Sequence, residues 1–433
     1  MNLSRVLAGG LALLGSASMA IAAMALDAPH TLHRARPLQQ HLSVPGHSRG
    51  HHLVAHRSTS SSHGRHTTAG QTATIHSGSV HSGAATLRRA SFHGRHHRFY
   101  ERFTASSFAS GDIFAEDITA GENPLIRQAA IDALGDMNGT AVVIDPSNGR
   151  ILAMVNQKLA LSHGAEPCST IKLSVALAAL SEGIVTRDTM VRLPGFRMNM
   201  TQALAHSNNL YFEELGRELG FERVRHYATQ FGLGELAGYN ISGEQLGVYP
   251  DEPLAAEEGG VGRMCSFGQG VSMTPLQLGA FVAAIANGGT LYYLQHPTSP
   301  MEIASFQPKV KRTLEIAKLT PEMQEGMAGA VQYGTARRLR ANFQELPVFG
   351  KTGTCSDKGT RFGWFVSYSD TPLGKMVTVF FLEGGRPTFG PRAAELTGEF
   401  YKNLWDRNYF ADRTTTTTVA DPIVPTSAPV QQQ

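Results

Sequence analysis

A long segment in the N-terminal part of the chain lacks both acidic residues and lysine, which limits how much of the chain can fold. Residues 28–100 contain no Asp, Glu or Lys and consist mainly of Arg, His, Ser, Gly and Thr, and 14 of the 18 histidines lie there. Such a segment offers too little apolar surface to form a core of its own. We therefore expect a disordered basic linker over residues 26–109 and a disordered Thr/Pro/Gln-rich tail over residues 412–433.

The simplest interpretation of this linker is a passive spacer. Its charge would also suit contact with anionic wall polymers or lipid headgroups, and its histidines could bind metal ions. Much of the formal net charge of +3 resides in this segment, so the charge balance of the chain does not indicate a nucleic-acid partner. We expect no such partner.

Residues 1–25 have the pattern of an export signal. A short polar start ends at Arg5, and an apolar run with small residues suited to cleavage follows it. An uncleaved anchor in the inner membrane fits as well, because the run is about long enough to span a bilayer. Both interpretations predict that the rest of the chain is exported to the periplasm or cell envelope. No second segment resembles a membrane span.

The remaining residues, 110–411, suffice for one large domain with a sizeable core. The patterns predict a hairpin, a block of helices, three consecutive strands and a closing helix. In chain order, they are a helix over 123–137, strands over 140–145 and 150–155, a helix from Ser169, helices within 201–231, 274–287 and 320–333, strands over 346–354, 361–369 and 375–383, and a helix over 391–405. This order predicts an α+β fold with an antiparallel β-sheet flanked by helices.

The Ser169–Lys172 stretch is the first candidate for chemistry. Pro167 cannot continue a helix backwards, so the apolar helix that follows is predicted to begin at or beside Ser169. Lys172 shares a helix face with Ser169 and is boxed in by apolar neighbours, an unusual place for a solubilising charge. A serine beside an amine whose pKa is lowered by burial has the geometry of an activated nucleophile. Taken alone, the pattern is more often an N-cap followed by a solvated lysine.

Two further stretches carry polar groups suited to binding a substrate. Ser207–Asn209 precedes an apolar helix and, taken alone, is a common loop and N-cap sequence. Residues 350–354 end a predicted strand and, taken alone, are an ordinary edge strand running into a loop. They offer a fixed cation, two hydroxyls and a glycine over which a substrate backbone can lie closely, namely Lys351, Thr352, Thr354 and Gly353.

In this order, Ser169–Lys172, Ser207–Asn209 and Lys351–Gly353 resemble the motif trio of penicillin-binding proteins and serine β-lactamases. Two more stretches resemble the transpeptidase branch. Phe267–Leu278 is similar to its loop-and-helix signature, and Gly334–Ala336 to its Gly-Thr-Ala ahead of the Lys-Thr-Gly strand. The resemblance implies a β-lactamase/transpeptidase-like fold with a helical subdomain. It also implies a peptidoglycan D,D-transpeptidase that works through a serine acyl-enzyme on D-Ala-D-Ala stem peptides and is inhibited by β-lactams.

The similarity covers roughly residues 140–405 and implies a role for each catalytic position. Ser169 would attack the D-Ala-D-Ala carbonyl. Lys172 would be its base, with a pKa lowered by burial and by the charge of Lys351. Ser207 would relay a proton to the leaving group, and Asn209 would hydrogen-bond the amide of the donor peptide.

The resemblance also implies how the substrate would be held. Lys351, Thr352 and Thr354 would hold the terminal carboxylate, with Gly353 between them, and the backbone N–H groups of Ser169 and Thr354 would form the oxyanion hole. We expect no cofactor and no metal. The expected partners are peptidoglycan stem peptides, β-lactam antibiotics and other cell-wall synthesis proteins.

The chain also departs from this family. No glycosyltransferase domain or folded pedestal is recognisable ahead of the domain, and the stretch between Lys172 and Ser207 is short for the family. A D,D-carboxypeptidase, a partial transpeptidase and a β-lactam sensor therefore stay open. So does a non-catalytic wall-binding protein, although that alternative would be marked by a missing motif residue and none is missing.

A serine β-lactamase is disfavoured by what lies around the motifs. No convincing Glu-x-x-x-Asn stretch, the deacylating device of class A enzymes, lies between Asn209 and Lys351. Class D enzymes rely on a tryptophan beside a carboxylated lysine, and the two tryptophans here, Trp364 and Trp405, both follow the third motif. Slow deacylation is therefore expected.

The three cysteines complete the predictions that depend on the resemblance. If the backbones of Ser169 and Thr354 share one oxyanion hole, their neighbours Cys168 and Cys355 fall within the Cα separation of about 4.4–6.8 Å that a disulfide permits. Some carbapenem-hydrolysing class A β-lactamases look similar at these positions. Export would allow oxidation. We expect a Cys168–Cys355 disulfide with Cys265 unpaired; the alternative is two buried thiols that only pack.

Overall fold

A computed structural model describes residues 103–411. The predicted export signal or anchor over residues 1–25, the linker up to residue 102 and the tail from residue 412 lie outside the described residues. Between residues 103 and 411, no helix combines the length and the apolar character needed to cross a membrane.

The described part of the chain consists of α-helices and β-strands joined by loops and short 3₁₀ turns. Its α-helices are α1 Pro124–Leu134, α2 Gln157–Ala160, α3 Lys172–Ser181, α4 Met200–His206, α5 Asn209–Leu219, α6 Phe221–Gln230, α7 Gly260–Phe267, α8 Pro275–Asn287, α9 Pro300–Ala304, α10 Thr320–Gln332 and α11 Gly390–Asp406. Its β-strands are β1 Gly139–Asp145, β2 Arg150–Val155, β3 Val191–Leu193, β4 Phe196–Met198, β5 Thr290–Tyr292, β6 Val310–Thr313, β7 Val348–Asp357, β8 Thr360–Thr371 and β9 Gly374–Gly384.

The main sheet has five strands in the order β2-β1-β9-β8-β7, and all of its neighbours are antiparallel. The predicted α+β architecture, an antiparallel sheet flanked by helices, is confirmed. Strand β7 lies at one edge of this sheet, where alternate backbone groups have no neighbouring strand and are free to pair with another chain.

Two hydrophobic cores cover the two faces of the sheet. Side chains of one strand alternate between them: Val379 belongs to the core that contains α3 and α8, and Phe380 to the core that contains α1 and α11. The candidate site lies where α3 meets β7, because the turn that leads into α3 packs against that strand.

Residues 103–109, which the sequence analysis assigned to the linker, lie against the sheet. Ser107 is fully buried, its backbone oxygen accepts a hydrogen bond from the Asn138 N–H at 2.8 Å, and Thr104 N donates to the Arg386 oxygen at 2.6 Å. The stretch is too short to show a periodic apolar pattern, so the sequence placed the start of the folded part at residue 110.

Candidate active site

Ser169 lies in a 3₁₀ turn, Cys168–Ile171, that runs directly into α3. The sequence predicted a helix from this point, and the structure shows a tighter turn ahead of the α-helix. Cys168 has a φ of 52°, and the Thr170 hydroxyl donates to the Pro167 carbonyl at 2.7 Å. Since Cys168 and Thr170 are both buried, the turn leaves Ser169 as the partly exposed residue between them.

Lys172 is fully buried at the start of α3, and its Nζ lies among four oxygens. Two of them are carbonyl oxygens, which only accept: Ser207 O at 2.9 Å and Asn209 Oδ1 at 2.6 Å. A neutral amine that donates to both keeps its lone pair for the Ser169 hydroxyl, whose Oγ is 2.9 Å away. Burial, and then the charge of Lys351, hold the pKa of Lys172 well below its usual value. The neutral form that a base needs is therefore favoured.

Ser207 occupies the break between α4 and α5. Its φ of 56° ends α4, and the Asn208 side chain caps α5 by accepting from Tyr211 N at 3.0 Å. The predicted helical stretch 201–231 is therefore interrupted here as well as at Gly220. The break turns the Ser207 hydroxyl toward both lysines, with Oγ 3.2 Å from Lys172 Nζ and 2.8 Å from Lys351 Nζ.

Lys351 is fully buried on β7 and donates to Ser207 Oγ and, at 3.0 Å, to the Thr352 carbonyl. Burial lowers the pKa of Lys351 to about 7. Gly353 lies against the turn of the nucleophile: a Cβ atom there would come within 2.8 Å of the Pro167 oxygen. Any larger residue at position 353 would push the strand away from Ser169.

A disulfide joins Cys168 to Cys355, with their Cα atoms 5.5 Å apart. The carbonyl of Glu166 also accepts from Trp364 Nε1 at 3.0 Å, which ties the same turn to β8. These two links hold the backbone of the Ser169 turn beside the end of β7, as the oxyanion-hole assignment requires. Cys265 is free and buried, and burial raises the pKa of its thiol to about 12.

Two contacts on β7 involve residues to which the sequence analysis gave no role in the site. The Thr335 and Thr352 hydroxyl oxygens are 2.6 Å apart, and the first N–H of α11, from Gly390, donates to Thr354 Oγ1 at 2.9 Å. Thr335 belongs to the stretch that resembles the Gly-Thr-Ala signature, but the resemblance implies no role for its side chain. No sequence signal pointed to Gly390.

The structure thus brings the side chains of all three motifs into one cluster. A serine hydroxyl faces a buried amine with a depressed pKa, and a second serine lies between that amine and a second buried amine. A serine nucleophile next to a lysine base is the arrangement found in one class of serine acyl-transfer enzymes.

The chain belongs to the family described as "Penicillin binding protein transpeptidase domain", whose family model matches residues 139–402. This match confirms the predicted family and begins and ends close to the expected span. It includes all three motifs.

Two curated proteins illustrate which known proteins this chain is similar to. Stage V sporulation protein D of Bacillus subtilis (strain 168) is 30% identical over 257 residues, which are 49% of this chain and 39% of that protein. Peptidoglycan D,D-transpeptidase PbpA of Mycobacterium tuberculosis (strain ATCC 25618 / H37Rv) is 24% identical over 383 residues, 71% of this chain and 76% of that protein. The chain thus spans 39% of the length of stage V sporulation protein D, and it spans 43% and 51% of the lengths of two other curated relatives.

A solved structure supports the fold. It is described as "Structure of penicillin-binding protein A from M. tuberculosis: imipenem acyl-enzyme complex" and is 22% identical, with a TM-score of 0.56 over 65% of this chain and 78% of that one. At this identity the likeness speaks for the fold alone, which is transpeptidase-like as the sequence predicted.

Proposed function

We propose that this chain is a peptidoglycan D,D-transpeptidase that acts through an acyl-enzyme on Ser169. The observation that carries the proposal is the environment of Lys172: a fully buried amine with a depressed pKa, 2.9 Å from the Ser169 hydroxyl. A lysine without a carboxylate partner is costly to bury, so a site that keeps one next to a serine has the character of a catalytic base.

In the first half-reaction the Ser169 hydroxyl attacks the carbonyl of the penultimate D-Ala and passes its proton to Lys172. The backbone N–H groups of Ser169 and Thr354 stabilise the tetrahedral oxyanion. The bond to the terminal D-Ala nitrogen then breaks. Ser207 gives its proton to that nitrogen and takes one from Lys172, so free D-Ala leaves and Ser169 holds the acyl group as an ester.

In the second half-reaction an amine from another stem peptide attacks the ester. The amine loses a proton to the Ser207–Lys172 pair, and the Ser169 oxygen regains one as the ester bond breaks. The product is a new peptide cross-link. A water molecule in place of the amine would make the same site a D,D-carboxypeptidase.

The hydrogen bonds already made within the site indicate which polar groups remain available to bind the substrate. Asn209 Oδ1 accepts from Lys172, which leaves its NH₂ group for a carbonyl of the donor peptide. The cation of Lys351 and the hydroxyls of Thr352 and Thr354 suit the terminal carboxylate. A β-lactam presents a strained amide and a carboxylate in the same relation, so it would acylate Ser169 and remain attached.

Fluorescent penicillin labelling tests this proposal. The parent chain is expected to be labelled and Ser169→Ala is not. Ser174→Ala is the matched control, because Ser174 lies five positions along in the same turn-and-helix segment but is buried outside the site. Labelling that survives Ser169→Ala would refute the role of Ser169. An adduct that vanishes within seconds would indicate a β-lactamase, and no adduct at all would indicate a non-catalytic wall-binding protein.

We also propose that the chain works in the cell envelope, exported by residues 1–25 as a cleaved signal or held by them in the inner membrane. Its family membership and the names of its relatives support this. Fractionation, followed by sequencing of the mature N-terminus, separates the two possibilities. A solved structure described as "Structural coordination of polymerization and crosslinking by a peptidoglycan synthase complex" shares the fold, with a TM-score of 0.52. By analogy with the assembly that this description names, we propose that this chain associates with other cell-wall synthesis proteins.

A further inference from the structure

We propose that Thr335 is a positioning residue for the substrate carboxylate: its hydroxyl orients the Thr352 hydroxyl so that Thr352 donates its proton to the carboxylate. This inference rests on the proposed function and adds to it a residue outside the three motifs. Thr335 is partly exposed, follows α10, and lies 17 positions before Thr352 in the chain.

Thr335 is held in place by the packing of α10 against α4. Three glycines allow this close approach. A Cβ atom at Gly326 would meet Leu204 Cβ at 2.8 Å, one at Gly329 would meet Ala205 Cβ at 3.0 Å, and one at Gly334 would overlap the Ala205 oxygen. With the helices this close, Thr335 N donates to the Ala205 oxygen at 3.1 Å.

This backbone bond links Thr335 to the second motif, because Ala205 lies two positions before Ser207 at the end of α4. The side chain of Thr335 points the other way, to Thr352 on the third motif, with the two hydroxyl oxygens 2.6 Å apart. Thr335 therefore connects the segment that carries Ser207 to the strand that carries Lys351.

The direction of the hydrogen bond between the two hydroxyls follows from the ligand. A carboxylate oxygen only accepts, so Thr352 must donate to it, and its oxygen is then free to accept from Thr335. A hydroxyl that accepts one hydrogen bond becomes a stronger donor in the next. Thr335 would thus strengthen the contact that Thr352 makes with the anion.

Thr354 shows the same arrangement on the same face of β7. Gly390 N–H can only donate, so Thr354 Oγ1 accepts from it and keeps its own proton for a ligand. A Cβ atom at Gly390 would come within 2.6 Å of the Gly353 oxygen, which shows how closely α11 approaches the strand. Each of the two hydroxyls at the proposed carboxylate site would therefore accept a hydrogen bond from another residue and keep its own proton for the carboxylate.

The test compares Thr335→Ala with Thr335→Ser, two variants that both lack the γ-methyl group and differ only in the hydroxyl. Each is reacted with benzylpenicillin and with its methyl ester, which has no carboxylate. The readout is the second-order rate constant of acylation. We expect Thr335→Ala to react about tenfold more slowly than Thr335→Ser with the acid, the effect of one hydrogen bond in a chain that ends on a charge. With the ester the two should differ by less than about twofold.

An equal loss with the acid and the ester would mean that Thr335 only supports the fold, and it would overturn the inference. So would equal rates for the two variants with the acid. These outcomes are separate from failure of the proposed function, which would appear as a parent chain that neither compound acylates.

Discussion

Removing the Cys168–Cys355 disulfide should destabilise the domain and slow its acylation. The bond closes a loop between cysteines 187 positions apart, and the chain-entropy model assigns such a loop about 5 kcal/mol of stabilisation through the unfolded state. At an unfolding entropy of about 2.1 cal/mol/K per residue, 1 kcal/mol shifts the Tm of a domain of this size by about 1.5 °C. The variant Cys168→Ala/Cys355→Ala is therefore expected to melt about 8 °C below the parent.

The disulfide also fixes the two backbones of the proposed oxyanion hole. Its loss frees the 3₁₀ turn of Ser169 from β7, so we expect acylation by benzylpenicillin to slow at temperatures at which the variant is still folded. Cys265→Ala is the control, because it removes a buried thiol without opening a loop and is expected to cost only about 1 kcal/mol.

Calorimetry or thermal circular dichroism gives the melting temperature, and intact-mass spectrometry gives the acylation rate. Denaturing thiol counting on the parent should find one free thiol. If the double variant melts within about 3 °C of Cys265→Ala, the loop closure does not stabilise the domain as argued. If its acylation rate equals that of the parent at 25 °C, the disulfide does not position the site.

Three further predictions concern the catalytic groups and the domain boundary. Lys172→Ala should fold and lose roughly 10²–10⁴-fold in acylation rate, since it lacks the base; a rate equal to that of the parent would exclude this role. The acylation rate should depend on pH as a bell: it rises as Lys172 loses its proton and falls above about pH 7 as Lys351 loses its own, because the pKa of Lys351 is lowered to about 7. Lys351→Arg keeps its positive charge at alkaline pH, so its acylation rate should not fall there. An unchanged fall in rate would mean that a group other than Lys351 causes it. A chain beginning at residue 101 should react with penicillin like the full chain, whereas one beginning at residue 110 should be less stable in a melting experiment because Ser107 is buried.

The motif residues that the structure brings together are recognisable in the sequence because the proposed chemistry restricts residue types over short distances. Ser169 and Lys172 are three positions apart, and Pro167 marks the start of the segment that carries them. The cation, the two hydroxyls and the glycine of β7 likewise occupy four consecutive positions, Lys351–Thr354. Patterns of this kind can be read without knowing the fold.

Contacts that depend on how distant elements pack could not be predicted in this way. The Thr335–Thr352 contact needs three glycines between α10 and α4, and the Gly390–Thr354 contact needs the start of α11 to lie beside β7. Neither arrangement leaves a local pattern.

Short elements and local backbone conformations were missed for a related reason. Strands β3 and β4 have three residues each, too few for a period-2 pattern to appear. Cys168 and Ser207 have φ angles of 52° and 56°, in the left-handed region that neither residue type favours. Only the surrounding packing determines these two angles.

Transpeptidation through Ser169 is tested most directly by a product analysis with a synthetic stem pentapeptide ending in D-Ala-D-Ala and an excess of an acceptor peptide that carries a free side-chain amine. Mass spectrometry follows the products, with Ser169→Ala as the negative control. We expect release of one D-Ala per turnover and formation of a cross-linked dimer of donor and acceptor, and both should depend on Ser169. Release of D-Ala with hydrolysed tetrapeptide and no dimer at any acceptor concentration would contradict transpeptidation, and absence of any Ser169-dependent D-Ala release would contradict the acyl-enzyme itself.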